Sequence, residues 1–170
     1  MDERRQRFEA QALPHLDAAY NLARWLSRSA VDADDIVQEA MLRAFRAFDS
    51  FRGGDIRPWL LTIVRKCWRN AASADSRRRA HTAPAEDDAL VATDADPERA
   101  AIEASDGRQL DMLIAMLPED FREVLILREM EDMSYREIAA VTGVPIGTVM
   151  SRLARARAML REKWMASVSP

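Results

Sequence analysis

Apolar residues recur at steps of three and four along most of the chain, the period of a helix with one buried face. Leu13, Leu16, Ala19, Tyr20, Ala23 and Leu26 predict a first helix on that pattern. Arg28–Asp32 interrupts it, and Asp32 is a candidate N-cap for the helix that follows. Ile36, Val37, Ala40, Met41, Ala44, Phe45 and Phe48 mark this second amphipathic helix, with Asp34 and Asp35 in its first turn, where they suit the dipole. A loop is expected over Phe51–Arg57, because the paired Gly53 and Gly54 weaken helix and permit left-handed backbone. Pro58 suits the first position of a third helix. That helix carries Trp59, Leu60, Ile63, Val64, Cys67 and Trp68 and runs to about Ala74. The first half therefore reads as three helices.

Beyond Arg79 the pattern stops. From His81 to about Asp96 the chain is Ala, Asp, Thr and Pro with few large apolar groups, too little to bury a core of its own. A second helical block opens near Pro97, with Ile102, Leu110, Leu113, Ile114 and Leu117 on one face. Pro118 starts another helix, containing Phe121, Val124, Leu125 and Leu127. Ser134–Glu137 then fits the capping box, the serine hydroxyl and the glutamate carboxylate each serving an orphan amide. A short helix with Ile138, Ala139 and Val141 ends at Thr142–Pro145, and a last helix takes up Thr148, Val149, Leu153 and Leu160. Two helices across a tight glycine turn are the helix-turn-helix plan. Ala139 is small where the helices approach, Gly143 turns the backbone and Val149 fills the space between them. The expected fold is all-α: two small helical domains, 1–79 and 105–170, joined by a flexible acidic linker over 80–104.

Composition narrows the choice. The chain has 170 residues with only 5 Gly and 7 Pro, so long helices are favoured over many short strands. No apolar run approaches the ~18 residues needed to span a bilayer, and the charged start Met1–Arg7 is not a secretory signal. Cys67 stands alone and there are 2 His, so no internal disulfide framework, multi-cysteine cluster or His-based metal site is supplied. The expectation is a reduced cytoplasmic protein without membrane insertion or cofactor. No P-loop, nucleophile elbow or dinucleotide fingerprint is present, and none is expected of a protein that is not an enzyme.

The formal net charge of −3 hides a pattern. Arg52–Arg79 carries a balance of +6, Ala80–Gly107 one of −7 and Pro145–Lys163 one of +4. Two basic blocks around an acidic spacer suggest a nucleic-acid partner more than solvated helix faces. On the last helix, Thr148, Ser151, Arg152 and Arg155 lie away from Val149 and Leu153. These are residue types that read base edges and grip phosphates in a major groove.

Asp34–Phe45, Phe51-Arg52 and Arg57–Lys66 together resemble region 2 of bacterial sigma-70-family factors. Leu117–Arg128, Ser134–Ala139, Gly147–Val149 and Ser151-Arg152 resemble region 4. Two such regions with only a short linker are the layout of the extracytoplasmic-function group. The resemblance implies an alternative sigma factor that binds core RNA polymerase and directs initiation at −10 and −35 promoter elements. It implies that Asp34, Asp35, Gln38, Glu39 and Arg43 dock on the β′ clamp helices, and that the second domain meets the β flap. It implies that Phe51, Arg52, Arg57, Arg65, Lys66, Arg69 and Asn70 serve the −10 element and its opened strand. Thr148, Ser151, Arg152 and Arg155, with Arg157 on the backbone, would serve the −35 element. Trp59 and Trp68 lie on the apolar face, which favours core over stacking platform; Phe51, in the loop, is the better candidate for DNA. Met150 stands where relatives often carry Arg or Lys, and Ala154 where some are bulkier, so the −35 sequence is left open. An anti-sigma protein is the expected regulator. The acidic linker is either a solvating spacer or a nucleic-acid mimic for a basic channel of polymerase. A dimeric helix-turn-helix regulator is the rival reading, and the region 2 motifs argue against it.

Overall fold

The computed structural model describes residues 2–79 and 99–169. The linker expectation, with Glu86, Asp87, Asp88, Asp94 and Asp96, falls outside the described residues apart from 99–104. Among the described residues there are eight α-helices and no strand. They are α1 Glu3–Ala12, α2 Leu16–Ser27, α3 Ala30–Ala47, α4 Ile56–Arg79, α5 Arg99–Ala115, α6 Glu119–Glu129, α7 Tyr135–Thr142 and α8 Ile146–Val168. Short 3-10 turns at Leu13–His15 and Phe48–Ser50 follow α1 and α3. The all-α expectation holds.

The first half holds four helices where the pattern predicts three. α1 buries only Phe8 and Ala12, so its apolar signal is faint. What seats it is long-range. Arg4 pairs with Asp49 at 3.0 Å, donates to the Phe45 carbonyl at 2.7 Å and stacks over the Phe45 ring at 4.5 Å. The Phe8 ring meets those of Phe45 and Phe48 edge-on, both at 5.3 Å.

The helix starts also differ from expectation. Ser29, not Asp32, caps α3: its hydroxyl accepts the Asp32 N–H at 3.3 Å. Ser29 lies directly after Arg28, whose left-handed backbone (φ 58°) ends α2, so a two-residue break suffices. Asp34 and Asp35 consequently fall one turn further in. α4 starts at Ile56, with the Asp55 carboxylate accepting the Arg57 N–H at 2.9 Å, and Pro58 sits inside the first turn, where no amide is needed. The helix runs past Ala74 to Arg79, and its last turns are exposed.

In the second half the local signals read true. Ser134 and Glu137 form the reciprocal capping box, at 3.1 and 2.8 Å. Gly143 (φ 74°) takes the left-handed position that ends α7, one that a side chain would strain by ~1–2 kcal/mol. Val149, Leu153 and Ala156 bury one face of α8. Arg122 is itself buried and donates to the carbonyls of Ala115 and Leu117 at 3.0 and 3.3 Å, closing the end of α5.

The two halves are not separate bodies. α2 packs on α6 and α4 on α7. A single apolar cluster runs from Leu22, Leu26 and Val64 in the first half to Leu125, Ile138 and Val149 in the second. A smaller one, of Phe8, Ala12, Ala44, Phe48, Ile56 and Leu60, underlies α1.

Candidate functional site

Three surfaces carry the residues singled out by sequence. The first is the outer face of α3. Ala33, Ile36, Val37, Ala40 and Ala44 are buried, which turns Asp34, Asp35, Gln38, Glu39 and Arg43 outward, and all five are exposed. Arg43 and Glu39, one turn apart, pair at 2.6 Å. Asp35, Glu39 and Arg43 line one cleft together with Asn70 of α4. On the other flank Asp34 and Gln38 border an apolar groove between α1, α2 and α3. Leu13, Leu16, Tyr20, Met41 and Leu42 line it. Periodicity placed Leu13, Leu16 and Tyr20 on a buried face, yet they are 49%, 38% and 37% exposed. The buried stripe of α2 is instead Ala19, Leu22, Ala23 and Leu26. The signal for the groove was present: more apolar positions on this segment than one narrow stripe can bury.

The second surface is the loop before α4 and α4 itself. Arg52, Lys66, Arg69 and Asn70 are exposed. Phe51 is half-buried between Phe48 (6.4 Å, stacked) and Trp59 (5.2 Å, tilted), so one edge of an aromatic cluster meets solvent here. Trp68 is a core residue at 5% exposure. Arg57 and Arg65 face the second half of the molecule. Arg65 is only 8% exposed and its Nε donates to Glu123 of α6, itself 2% exposed. Burial pushes the Glu123 carboxyl up, while the Arg65 guanidinium pulls it down. Arg57 donates to the Glu131 carbonyl at 2.8 Å and lies 3.9 Å from the Glu137 carboxylate. Its Nε is buried without a hydrogen-bond partner.

The third surface is the outer face of α8. Ser151, Arg155 and Arg157 are exposed; Thr148 and Arg152 are half-buried. Arg152 lies 3.7 Å from Asp120, and Arg157 pairs with Glu129 at 2.6 Å. Met150 of the same helix is also exposed, at 52%. All these partners belong to α6, so this face is organised within the second half alone. Among the described residues no cluster of His, Cys, Asp or Glu could hold a metal ion, and no helix is long and apolar enough to cross a membrane.

A helix-turn-helix with an outward basic face, beside a four-helix unit with polar and cationic faces, defines a helical DNA-binding transcription protein. Known proteins sharpen this. Residues 13–79 match the family model of sigma-70 region 2, and residues 107–160 that of sigma-70 region 4. The chain belongs to the sigma-70 family, and its function is that of an alternative sigma factor of the extracytoplasmic-function group.

Among its relatives, the extracytoplasmic-function RNA polymerase sigma factor SigE of Mycolicibacterium smegmatis is 34% identical over 148 residues, 87% of this chain. The chain spans 58% of that relative's length. The extracytoplasmic-function RNA polymerase sigma-E factor of Escherichia coli K12 is 38% identical over 144 residues, covering 78% of this chain and 73% of the relative. The sigma factor RpoE of Bartonella quintana, solved with the anti-sigma factor NepR, superposes with a TM-score of 0.81 at 28% identity. That superposition covers 97% of this chain and 99% of RpoE.

Proposed function

We propose that this chain joins core RNA polymerase through the outer face of α3 and its apolar groove, and reads promoters through α4 and α8. The observation that carries the reading is the pair of basic helices, one in each family-matched half, each with an apolar face packed and a polar face turned out. For polymerase, the exposed carboxylates Asp34, Asp35 and Glu39 offer charge complementarity to basic partner helices. Gln38 adds a neutral donor, and Met41 and Leu42 supply apolar area beside them. The expected partners are the β′ clamp helices here and the β flap at the second half.

For the −35 element, α8 enters a major groove. Ser151, Arg152 and Arg155 face base edges, Thr148 stands at the N-terminal end, and Arg157 is on the phosphates. For the −10 element, Arg52, Arg57, Arg65, Lys66, Arg69 and Asn70 track the backbone of an opened strand, with Phe51 as the aromatic surface for an unpaired base. The relevant species is 1–79 and 105–170 acting as two tethered readers. Each alone binds weakly and salt-sensitively, and the tether raises the effective concentration of the second. The protein works in the cytoplasm without enzymatic chemistry or cofactor, and an anti-sigma factor is its expected regulator.

The test is run-off transcription from a pool of genomic promoter fragments, with core polymerase, with and without this protein. Protein-dependent transcripts whose start sites align behind two shared elements are expected. Footprints of symmetric sites by the protein alone, without transcripts, would establish the dimeric regulator instead.

A further inference from the structure

α8 exposes more apolar surface near its start than its packing accounts for. Ile146 and Met150 are 41% and 52% exposed, and neither belongs to an apolar cluster of the fold. With Ala154, also exposed, they recur every four residues and so form one slowly winding strip along the helix. The helical period places this strip between the buried stripe of Val149, Leu153 and Ala156 and a ridge of small exposed residues, Gly147, Ser151 and Ala158. Arg152 and Arg155 stand on the far flank of the ridge, and Arg157 stands beside Met150.

Gly147 shows that the ridge is bare for a reason outside the chain. It lies inside the helix, and nothing is within 4 Å of where its Cβ would stand. A glycine inside a helix weakens it, and here neither a turn nor a packed neighbour returns the loss. Pro145, the N-cap, adds no side-chain cap. The first turn of α8 is thus uncovered on its outer side, which lets another body come close to the backbone. The exposed cations Arg155 and Arg157 suit that body to be a polyanion. In the major groove of a duplex the apolar group on offer is the C5-methyl of thymine. From Ile146 to Ala154 the strip runs ~12 Å, about three to four base pairs at ~3.4 Å each.

We propose that Ile146, Met150 and Ala154 select thymines in the −35 element by burying their 5-methyl groups, while Ser151, Arg152 and Arg155 serve the hydrogen-bonding edges. The inference rests on α8 being the −35 reader. It gives Met150 a positive role, although its side chain brings no charge to the groove. An unbranched thioether moulds itself to a methyl group. The strip favours T·A over C·G pairs, because cytosine lacks the methyl and presents an amino group that an apolar side chain leaves unpaired.

The experiment uses the full chain with core polymerase. Run-off transcription from promoters randomised over the −35 box yields the selected element, which is expected to hold thymines at neighbouring pairs. Each thymine is then replaced by deoxyuridine, which removes the methyl and keeps every hydrogen-bonding group. Initiation at subsaturating protein is expected to fall about 3- to 5-fold at each pair under the strip. In Met150→Ala the deoxyuridine penalty is expected to vanish at one pair and persist at the others. Met150→Arg is expected to move the preference at that same pair from T·A to G·C. Both variants alter an exposed site and should keep the wild-type Tm. A selected element without thymines would overturn the inference. So would deoxyuridine promoters used as well as the parent, or a penalty identical in wild type and Met150→Ala; the strip would then be left for a protein contact. Arg155→Ala separates the readings. Neutral deoxyuridine with a −35 preference altered by Arg155→Ala sinks the methyl reading alone, whereas a preference that ignores Arg155→Ala sinks α8 as the reader. No protein-dependent transcripts at all would sink the sigma reading and the inference with it.

Discussion

α4 and α8 are the two basic helices of the molecule, and they are presented in opposite ways. α8 rests Val149, Leu153 and Ala156 on its own half and turns Ser151, Arg155 and Arg157 to solvent. Its pairs, Arg152–Asp120 and Arg157–Glu129, are exposed or half-exposed and worth little. α4 keeps Lys66, Arg69 and Asn70 outside but gives Arg65 and Arg57 to the other half. The difference shows that a basic stripe in a sequence is a statement about chemistry, and that accessibility is decided by whatever packs against it. One basic face is open as folded; the accessibility of the other depends on how the two halves stand.

Four substitutions would break or sharpen that contrast. The largest effect belongs to Leu153→Ala, which empties a fully buried site under α8. Urea unfolding should show a loss of ~2–5 kcal/mol, with the open reader losing its footing first. Next comes Arg155→Ala. On duplex fragments carrying the selected −35 element it should cost ~1–3 kcal/mol of discrimination at one base pair, with the radius of gyration from small-angle scattering unchanged. An altered radius would mean that α8 helps to hold the two halves together.

Ser134→Ala removes one arm of the capping box and should lower stability by ~1 kcal/mol, read as a drop in Tm. It should leave binding of single-stranded DNA by α4 in place. The smallest effect is that of Arg157→Ala. Thermal stability should move by less than ~0.5 kcal/mol, because its pair with Glu129 is exposed. The slope of log affinity against log salt on duplex DNA should fall by about one.

How much of this could be read from the sequence divides along the same line. The capping box at Ser134, the turn at Gly143 and the plug at Val149 are local, each decided by residues within a few positions, and all stand as expected. α1 was missed because two buried residues in ten make no stripe, and Arg4 seats it through partners more than 40 residues away. Leu13, Leu16 and Tyr20 were assigned to the core because periodicity marks an apolar face without saying what covers it. Arg65 is the sharpest case. Composition made it one cation among eight in a basic block, and only the fold discloses that Glu123 neutralises it.

α4 ends at Arg79 and α5 starts at Arg99, which leaves 20 peptide steps between two rigid rods. Stretched to its limit, such a chain covers roughly 70 Å. Laid along a duplex that rises ~3.4 Å per base pair, this is about 20 base pairs. The tether is therefore a ruler as well as a leash. However the two halves part, the ends of α4 and α5 stay within that covalent reach, so the span of DNA that both halves can hold at once is limited by it together with the lengths of the helices themselves. A series of promoters with lengthening spacers should show initiation fall away once that bound is passed, whatever the sequence of the boxes themselves.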